Sequence, residues 1–152
     1  MKETTRISNL FDALYDGTPW IDVTITGTLQ TINHIQAAVK IAEGRNSIWQ
    51  IVNHMISWRE NVLQRVQGEV IDSPADNYFT EITDTSEAAW KATLQRLKQT
   101  RQQWALFLKD FNEDNFEKKY SSNNLSYYEH IHGIIQHDAY HLGQIVLLSK
   151  LI

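Results

Sequence analysis

The sequence contains no cysteine among its 152 residues. Disulfide bonds, a cysteine nucleophile and thiolate-bound zinc are therefore all excluded. No apolar run reaches the length that a membrane-spanning helix needs, and the first residues, Met1 to Arg6, lack the apolar stretch of a signal peptide. We therefore expect a cytoplasmic protein with no membrane partner, in which any metal ion is held by histidine, carboxylate or carbonyl groups.

Positive charge is also scarce in this chain. Lysine and arginine number 14 against 18 aspartates and glutamates, which leaves a formal net charge of −4. No basic cluster is present, whereas a nucleic-acid surface requires concentrated positive charge. With 42% hydrophobic and 21% charged residues, the composition is that of an ordinary globular protein. The length fits a single domain over residues 1–152, and we expect a small-molecule ligand and no nucleic-acid partner.

Apolar residues recur at helical spacing along most of the chain. A short amphipathic helix is predicted from about Thr5 to Tyr15. Four long helices are predicted over about residues 21–42, 47–67, from Asp84 or Ser86 to about Lys109, and over 126–151. Asn46 or Ser47 can cap the second long helix, and Gly27 is a weak point in the first. We therefore predict an all-α four-helix bundle with a short additional N-terminal helix, and we expect the five tryptophans to lie mostly in its core.

The longest irregular stretch runs from Glu69 to Thr83 and contains Ser73-Pro74 and Asp76-Asn77. Irregular segments of this length in a compact domain commonly border a functional site. We interpret this stretch as a lid or rim of a functional site.

Two histidines four residues apart, His137 and His141, stand in the apolar C-terminal segment. On a helix this spacing directs both imidazoles to one face, where they can share a metal ion. Solvated or separately hydrogen-bonded rings are the alternative, but burial beside residues such as Leu142 makes unpaired imidazoles costly. His54, in another apolar helical segment, is the best candidate for a third ligand. The pattern predicts a metal site formed by His54, His137 and His141, with open coordination positions.

The remaining histidines are weaker candidates. His130 lies on the same helical stripe as His137 but seven residues away, so it is an alternative ligand or a neighbour of the site. His132 points about 140° from that stripe and is interpreted as structural. His34 is interpreted as a surface or hydrogen-bonded histidine.

Several residues near the proposed ligands could support them. Gln144 lies on the ligand face, where its amide can orient a ligand or a water molecule or can bridge two helices. Trp58, four residues after His54, is placed to form a pocket wall. Asp138 is either an acceptor for an imidazole N–H or a helix-packing or surface residue. No carboxylate falls on the ligand face, because Glu60, Glu129 and Asp138 all point elsewhere on a helical wheel.

The sequence resembles the DinB-like superfamily of small bacterial metalloproteins. The resemblance extends over nearly the whole chain and is carried by Ser47-Ile48-Trp49 leading to His54 and Trp58-Arg59, by Trp90, and by the C-terminal motif. That last motif is His132-Gly133 followed by Gln136-His137-Asp138-Ala139-Tyr140-His141-Leu142-Gly143-Gln144-Ile145.

The resemblance implies an up-and-down bundle with a crossover connection between its second and third helices. It also implies one divalent metal ion bound by three histidines, here His54, His137 and His141. Members of this superfamily are often labelled metal-dependent hydrolases, and better understood relatives transfer or isomerise small molecules with thiols such as bacillithiol or mycothiol. The superfamily name refers to induction by DNA damage and does not imply that these proteins bind DNA.

Three functional hypotheses follow. The first is a metal-dependent transferase or hydrolase acting on a small molecule, with thiol-dependent S-transfer as one form. The second is a non-catalytic metal-dependent binding or stress-response module, and the third is a structural bundle that binds metal only opportunistically. Imidazole ligands favour late first-row metals, so zinc or nickel is expected, with iron and manganese as further candidates. We also expect a homodimer, because an aromatic-rich small bundle often leaves an apolar face uncovered.

Overall fold

The protein is entirely helical apart from its connections, as described over residues 1–152 by a computed structural model. Four helices are long: α1 (Glu3–Asp16), α4 (Ile48–Val66), α5 (Glu87–Asp110) and α6 (Tyr127–Ser149). Two are short, α2 (Ile25–Leu29) and α3 (His34–Ala38), and a 3-10 helix covers Glu113–Asn115. The prediction of an all-α bundle is confirmed. None of the helices is both long enough and apolar enough to cross a membrane.

The long helices form a ring in which α4 and α1 each contact both α5 and α6. Helices α4 and α5 run parallel, because Trp49 near the start of α4 donates a hydrogen bond to Thr93, whereas Arg59 farther along α4 donates to Thr100. Consecutive parallel helices need a connection that returns along their length. Residues 67–86 form this connection, and it is the crossover that the sequence resemblance implies.

The core is divided into two apolar clusters along the bundle axis. In one cluster Trp49 contacts Trp90 with ring centroids 5.0 Å apart, and in the other Phe11 stacks on Trp104 at 5.1 Å. Trp49, Trp90 and Trp104 are buried, in agreement with the expectation that most of the tryptophans lie in the core, whereas the side chain of Trp20 is 98% exposed. Trp20 lies in a turn after the end of α1.

A buried polar layer lies between the two clusters. Arg59 on α4 forms an ion pair with Asp138 on α6, with Nη2 2.7 Å from Oδ2, and both side chains are almost fully buried. The same guanidinium donates to the Thr100 hydroxyl of α5. Arg59 thus connects three bundle helices near the middle of the bundle, and its partner Asp138 lies between His137 and His141 in the sequence of α6.

Serine residues begin three of the long helices. The Ser47 side chain accepts the Gln50 N–H while the Gln50 side chain accepts the Ser47 N–H, and Ser126 and Glu129 form the same reciprocal capping box at the start of α6. Ser86 caps α5 with a single hydrogen bond. Capping of this kind satisfies N–H groups that the first helical turn leaves without partners. Of the two caps considered for α4, Ser47 is the one used.

The prediction of one long helix over residues 21–42 is wrong. This segment contains two five-residue helices separated by a break. Thr24 caps α2 through the N–H of Gly27, and Asn33 ends the break by forming a capping box with Gln36 that begins α3. Side chains that bond to nearby backbone groups compete with helix continuation, and the β-branched residues around Thr24 already favour extended backbone.

The N-terminal helix therefore has a larger place in the bundle than the sequence indicated. Predicted as a short addition, α1 is 14 residues long and is one of the four helices of the ring. The apolar face of α1 packs against α5 and α6, and α2 lies against α1 and α6. The bundle therefore keeps four long helices, but the first of them is α1 and not the segment 21–42.

Candidate metal centre

Three imidazoles from two antiparallel helices meet on one side of the bundle. His54 lies on α4, and His137 and His141 lie one turn apart on α6. The Nε2 atom of His137 is 2.9 Å from that of His54 and 3.1 Å from that of His141. The ligand atoms of all three rings lie within 4.8 Å of one another. The structure thus brings together the three histidines that the sequence selected.

His54 is oriented by the crossover connection. Its Nδ1 is 2.6 Å from the backbone carbonyl oxygen of Asn77, which can only accept a hydrogen bond. The proton of the neutral ring is therefore on Nδ1, and the lone pair of Nε2 points at the other two histidines. The Phe79 ring stacks on the His54 ring, with 4.0 Å between the ring centroids and an angle of 8° between the ring planes. These contacts leave the ring little freedom to turn away.

The backbone of the crossover is shaped locally to make this contact. Asn77 and Tyr78 both have positive φ, 52° and 63°, and the Asp76 side chain accepts the Tyr78 N–H. Positive φ costs a non-glycine residue about 1 kcal/mol or more. The Asn77 side chain accepts a hydrogen bond from the Trp58 indole, and Tyr78 accepts one from Asn61. These side-chain contacts hold the strained turn against α4.

His141 is oriented from within its own helix. Its Nδ1 is 2.7 Å from Oε1 of Gln144, one turn later, and the Gln144 amide nitrogen donates to the Tyr140 hydroxyl. The amide oxygen accepts, so the His141 proton is on Nδ1 and Nε2 again carries the lone pair. Gln144 therefore orients a histidine and does not bridge two helices.

His137 differs from the other two because nothing in the protein holds its second nitrogen. Its Nδ1 is buried and has no hydrogen-bond partner. The ring is instead confined by its neighbours, with Trp58 at 6.2 Å and His141 at 4.4 Å between ring centroids. The orientation of this central imidazole is therefore set by packing and by whatever its Nε2 binds.

The cluster favours neutral imidazoles. Burial is the main cause that lowers the pKa of His54 to about 4; the neighbouring His141 also lowers it, and the hydrogen bond to the Asn77 carbonyl oxygen opposes the shift. Burial, followed by the neighbouring His141, His54 and Arg59, lowers the pKa of His137 to about 3. Burial also lowers the pKa of His141. At neutral pH all three rings are therefore in the uncharged form that can ligate a metal ion.

These donors fit a divalent metal ion. Two nitrogens bound to one tetrahedral zinc are roughly 3.3 Å apart for zinc–nitrogen distances of 2.0–2.1 Å. The two separations from His137 Nε2, 2.9 and 3.1 Å, need to open by only a few tenths of an ångström, and all three ligand atoms lie within 4.8 Å of one another. Hydrogen bonds on the second nitrogen orient ligating histidines in many metal sites, and two of these three rings have one. The three imidazoles could hold one divalent ion and leave coordination positions open.

The cluster lies in the wall of a cleft of about 860 Å³. Helices α4 and α6 form its floor, and the crossover, the segment before α4 and the turn before α6 form its rim. Trp58, as predicted, is part of the wall. The rim position of Asn77 and Phe79 agrees with the interpretation of residues 69–83 as the edge of the site. The size of the cleft is suited to a small molecule.

The other histidines are outside the cluster. His130 lines the same cleft, but its Nδ1 is bonded to the Ser126 carbonyl oxygen and its Nε2 is 3.3 Å from the Asn123 amide nitrogen. His132 packs against the Tyr128 ring, and His34 lies on α3 with Nδ1 2.8 Å from the Thr85 carbonyl oxygen. Of the roles considered for His130, direct ligation to the same ion is not supported by this geometry.

No carboxylate belongs to the cluster, as the helical wheel indicated. Glu60 pairs with Arg96 on the far side of α4, and Glu129 is engaged in capping α6. Asp138 points into the core toward Arg59, so it packs helices and accepts no imidazole proton. The site therefore lacks a carboxylate beside the histidines that could act as a general base.

Sequence reasoning missed the residues that reach the site from the crossover or through the core. Asn77 and Phe79 fall in the stretch identified only as a rim, and no periodicity relates them to His54. Arg59 and Arg65 were not selected. Arg65, seven residues after Trp58, falls on the same stripe of α4, and this spacing was the available signal, but charged residues usually face solvent.

Comparison with known proteins agrees with the geometry. A sequence profile described as the DinB superfamily matches residues 5–145, which is nearly the whole chain. No curated protein and no solved structure was found to match. The matched range includes α4 and α5, most of α1 and α6, and the three clustered histidines. The chain belongs to the DinB superfamily.

Proposed function

We propose that this protein is a metal-dependent enzyme that acts on a small molecule, with His54, His137 and His141 as the ligands of one divalent ion. The observation that carries the proposal is the convergence of three Nε2 atoms, from rings held neutral, on the wall of a cleft of small-molecule size. A late first-row metal such as zinc or nickel suits an all-imidazole donor set. When bound, such an ion would lower the pKa of a thiol or water ligand.

The protein's own residues have three tasks in this proposal. Asn77 and Gln144 keep the protons of His54 and His141 on Nδ1, so that both Nε2 atoms stay available. Phe79 and Trp58 surround the rings with apolar surface, which excludes water from one side of the site. The cleft holds the substrate beside the cluster.

Between hydrolysis and thiol transfer, the structure supports thiol transfer better. Hydrolysis usually needs a positioned general base, and no carboxylate lies with the histidines. Because the chain has no cysteine, the thiol must be a small molecule that enters the cleft. In this reaction the thiol sulfur bonds to an electrophilic carbon, the bond to the leaving group breaks with its electron pair going to that group, and the thiol proton goes to solvent.

The missing base also favours a second candidate, a metal-dependent binding module without turnover. Both functions need the same metal ligands, so metal binding alone does not separate them. They differ in whether any thiol is consumed.

The test is a turnover assay with zinc- and nickel-loaded protein, a panel of low-molecular-weight thiols including bacillithiol, and an aromatic electrophile with a chloride leaving group. We expect the metal-loaded wild type to release chloride faster than the metal-free protein does. His137→Ala should release no chloride above background. His34→Ala is the matched control, since that ring lies on α3 away from the cluster, and it should retain full activity. Metal binding without turnover by any thiol or by water would favour the binding module, and turnover that persists in His137→Ala would contradict both.

A further inference from the structure

Two of the six arginines in this chain have no acidic partner, and both line the cleft that holds the histidines. Four arginines form ion pairs with aspartate or glutamate: Arg6, Arg59, Arg96 and Arg101. The two that do not are Arg45, which is exposed on the rim, and Arg65, which is only 9% exposed in the last turn of α4. A buried guanidinium without a counter-ion is unusual, because a charge removed from water is costly unless it is paired.

Arg65 is held in place without being neutralised. Its guanidinium carbon lies 5.4 Å from the Trp58 ring centre and 4.9 Å from that of Tyr120. Nη2 donates a 3.3 Å hydrogen bond to the Ile71 carbonyl oxygen, and the buried Nε has no partner at all. Of the five N–H donors of a guanidinium, most are therefore unused, although their planar arrangement matches a carboxylate or phosphate.

The rest of the cleft does not provide the missing negative charge. Glu129 is the one acidic residue in its lining, and its carboxylate accepts the Ser126 N–H at 2.6 Å and lies 3.7 Å from Lys119. Arg45, in the segment before α4, adds a second positive charge to the lining of the cleft. The electrostatic character of the cleft is therefore positive even with neutral histidines, and an anionic ligand would be attracted to it.

Trp58 connects this unpaired charge to the histidine cluster. One indole lies 5.4 Å from the Arg65 guanidinium carbon and 6.2 Å from the centre of the His137 ring. A single small molecule can therefore contact the guanidinium at one end and the three imidazoles at the other. The apolar surface of Trp58 lies between them.

We propose that Arg65 binds an oxyanion, a carboxylate or phosphate group, of the molecule on which the protein acts. The substrate is then a small organic anion with an apolar body against Trp58, and Arg65 determines its specificity. This inference rests on the proposed function for the identity of the reacting end, but the anion subsite itself requires no metal ion.

The test uses benzoate, phenyl phosphate and the uncharged isostere benzamide, titrated by NMR into metal-free and zinc-loaded protein. The metal-free titration matters because an anion can also ligate zinc directly. We expect metal-free wild type to bind one of the two anions at least about tenfold tighter than benzamide, the size of effect expected for a charged hydrogen bond. The preferred anion identifies a carboxylate or a phosphate subsite.

Arg65→Gln should remove this preference while leaving zinc affinity unchanged, and Arg65→Lys should restore part of it. Arg45→Gln is the matched control, since it removes the other unpaired arginine of the cleft and should retain most of the preference. If Arg65→Gln does not fold, the test is made on the wild type by NMR. The resonance of the Arg65 Nε–H should then shift when the anion is added and should not shift with benzamide.

Equal binding of anion and benzamide, or no measurable binding of any of the three, would overturn the anion subsite. So would a preference that survives in folded Arg65→Gln, since Arg65 would then serve only to attach the crossover through Ile71. A different result would refute the proposed function alone: zinc does not bind, or no thiol is consumed, while the preference for the anion persists.

Discussion

The side-chain oxygen of Gln144 accepts a hydrogen bond from Nδ1 of His141 at 2.7 Å, one helical turn away on α6. This contact places the proton of His141 on Nδ1 and directs the lone pair of Nε2 toward His54 and His137. Outer hydrogen bonds of this type commonly change metal affinity by 10–100-fold when removed.

We therefore expect Gln144→Leu to weaken zinc binding by about 10–100-fold without unfolding the protein, because Gln144 is only half-buried and lies at the cleft. Gln136→Leu is the matched control, since Gln136 is exposed on the same helix and takes no part in the hydrogen bonds of the cluster. Competition with a chromophoric chelator gives both affinities. Equal zinc affinity in the Gln144 variant and the wild type would show that packing alone orients His141.

Replacing any one of His54, His137 and His141 with alanine should lower zinc affinity by several orders of magnitude, because two imidazoles hold a divalent ion far less tightly than three. Elemental analysis of untagged wild type should show about one divalent ion per chain.

His130→Ala is the deciding control for that ligand set. His130 lines the cleft but is bonded to Ser126 and Asn123, so its replacement should leave zinc affinity nearly unchanged, as should His34→Ala and His132→Ala. Loss of binding in His130→Ala with retention in His54→Ala would mean that the site lies along α6 alone.

The pH dependence of zinc binding should reflect the lowered pKa values of the cluster. Ordinary imidazoles, with a pKa near 6.5, would begin to lose metal below about pH 6.5. Because the pKa of His54 is about 4 and that of His137 about 3, protons compete with zinc for these two rings only at lower pH, and burial lowers the pKa of His141 as well. We expect the zinc dissociation constant to stay nearly constant from neutral pH to about 5 and to rise steeply below that. A rise that begins at pH 6.5 would show that the rings are more hydrated than the structure indicates.

The same lowered pKa values should make the metal-free protein acid-sensitive. Between about pH 6.5 and 4 the unfolded chain binds protons at histidines that remain neutral in the folded protein. Stability contributed by the neutral rings is therefore fully present above pH 6.5 and is lost as the pH falls toward the folded values. His54→Ala lacks one of these groups, so between pH 7 and pH 4 its melting temperature should fall less than that of metal-free wild type. An equal fall in the two proteins would contradict the lowered pKa of His54.

The buried ion pair between Arg59 and Asp138 gives a stability prediction. Asp138→Asn should lower the free energy of unfolding by about 3–5 kcal/mol, because it leaves the Arg59 charge buried without its partner. Glu60→Gln breaks the exposed pair with Arg96 and should cost no more than about 1 kcal/mol. Urea denaturation monitored by circular dichroism measures both. Similar small losses in the two variants would contradict the view that this polar layer connects the halves of the core.

Homodimer formation stays a prediction. Large apolar side chains are exposed at Trp20, Ile21, Ile35, Val39 and Ile41, in and around the short helices. A contact between two copies would remove this surface from water. Light scattering at micromolar concentration should give twice the chain mass of 17.7 kDa, and a monomer mass would refute it.

The sequence by itself determined the features that depend on local periodicity and spacing. Apolar repeats placed α4, α5 and α6 with ends within a few residues, and the four-residue spacing of His137 and His141 put both rings on one helix face. These predictions succeeded because helix geometry converts a separation in sequence directly into a direction in space. Residues 21–42 defeated the same reasoning, because side-chain caps at Thr24 and Asn33 outweigh an apolar repeat.

Only the tertiary structure decided which groups meet across elements. The crossover carries the Asn77 carbonyl and the Phe79 ring onto His54, 23 positions from Asn77 in sequence, through a turn with two residues at positive φ. The inward direction of Asp138 and the unpaired burial of Arg65 likewise depend on what the neighbouring helices present. Burial and pairing are properties of surroundings assembled from distant segments, and for that reason no local pattern specifies them.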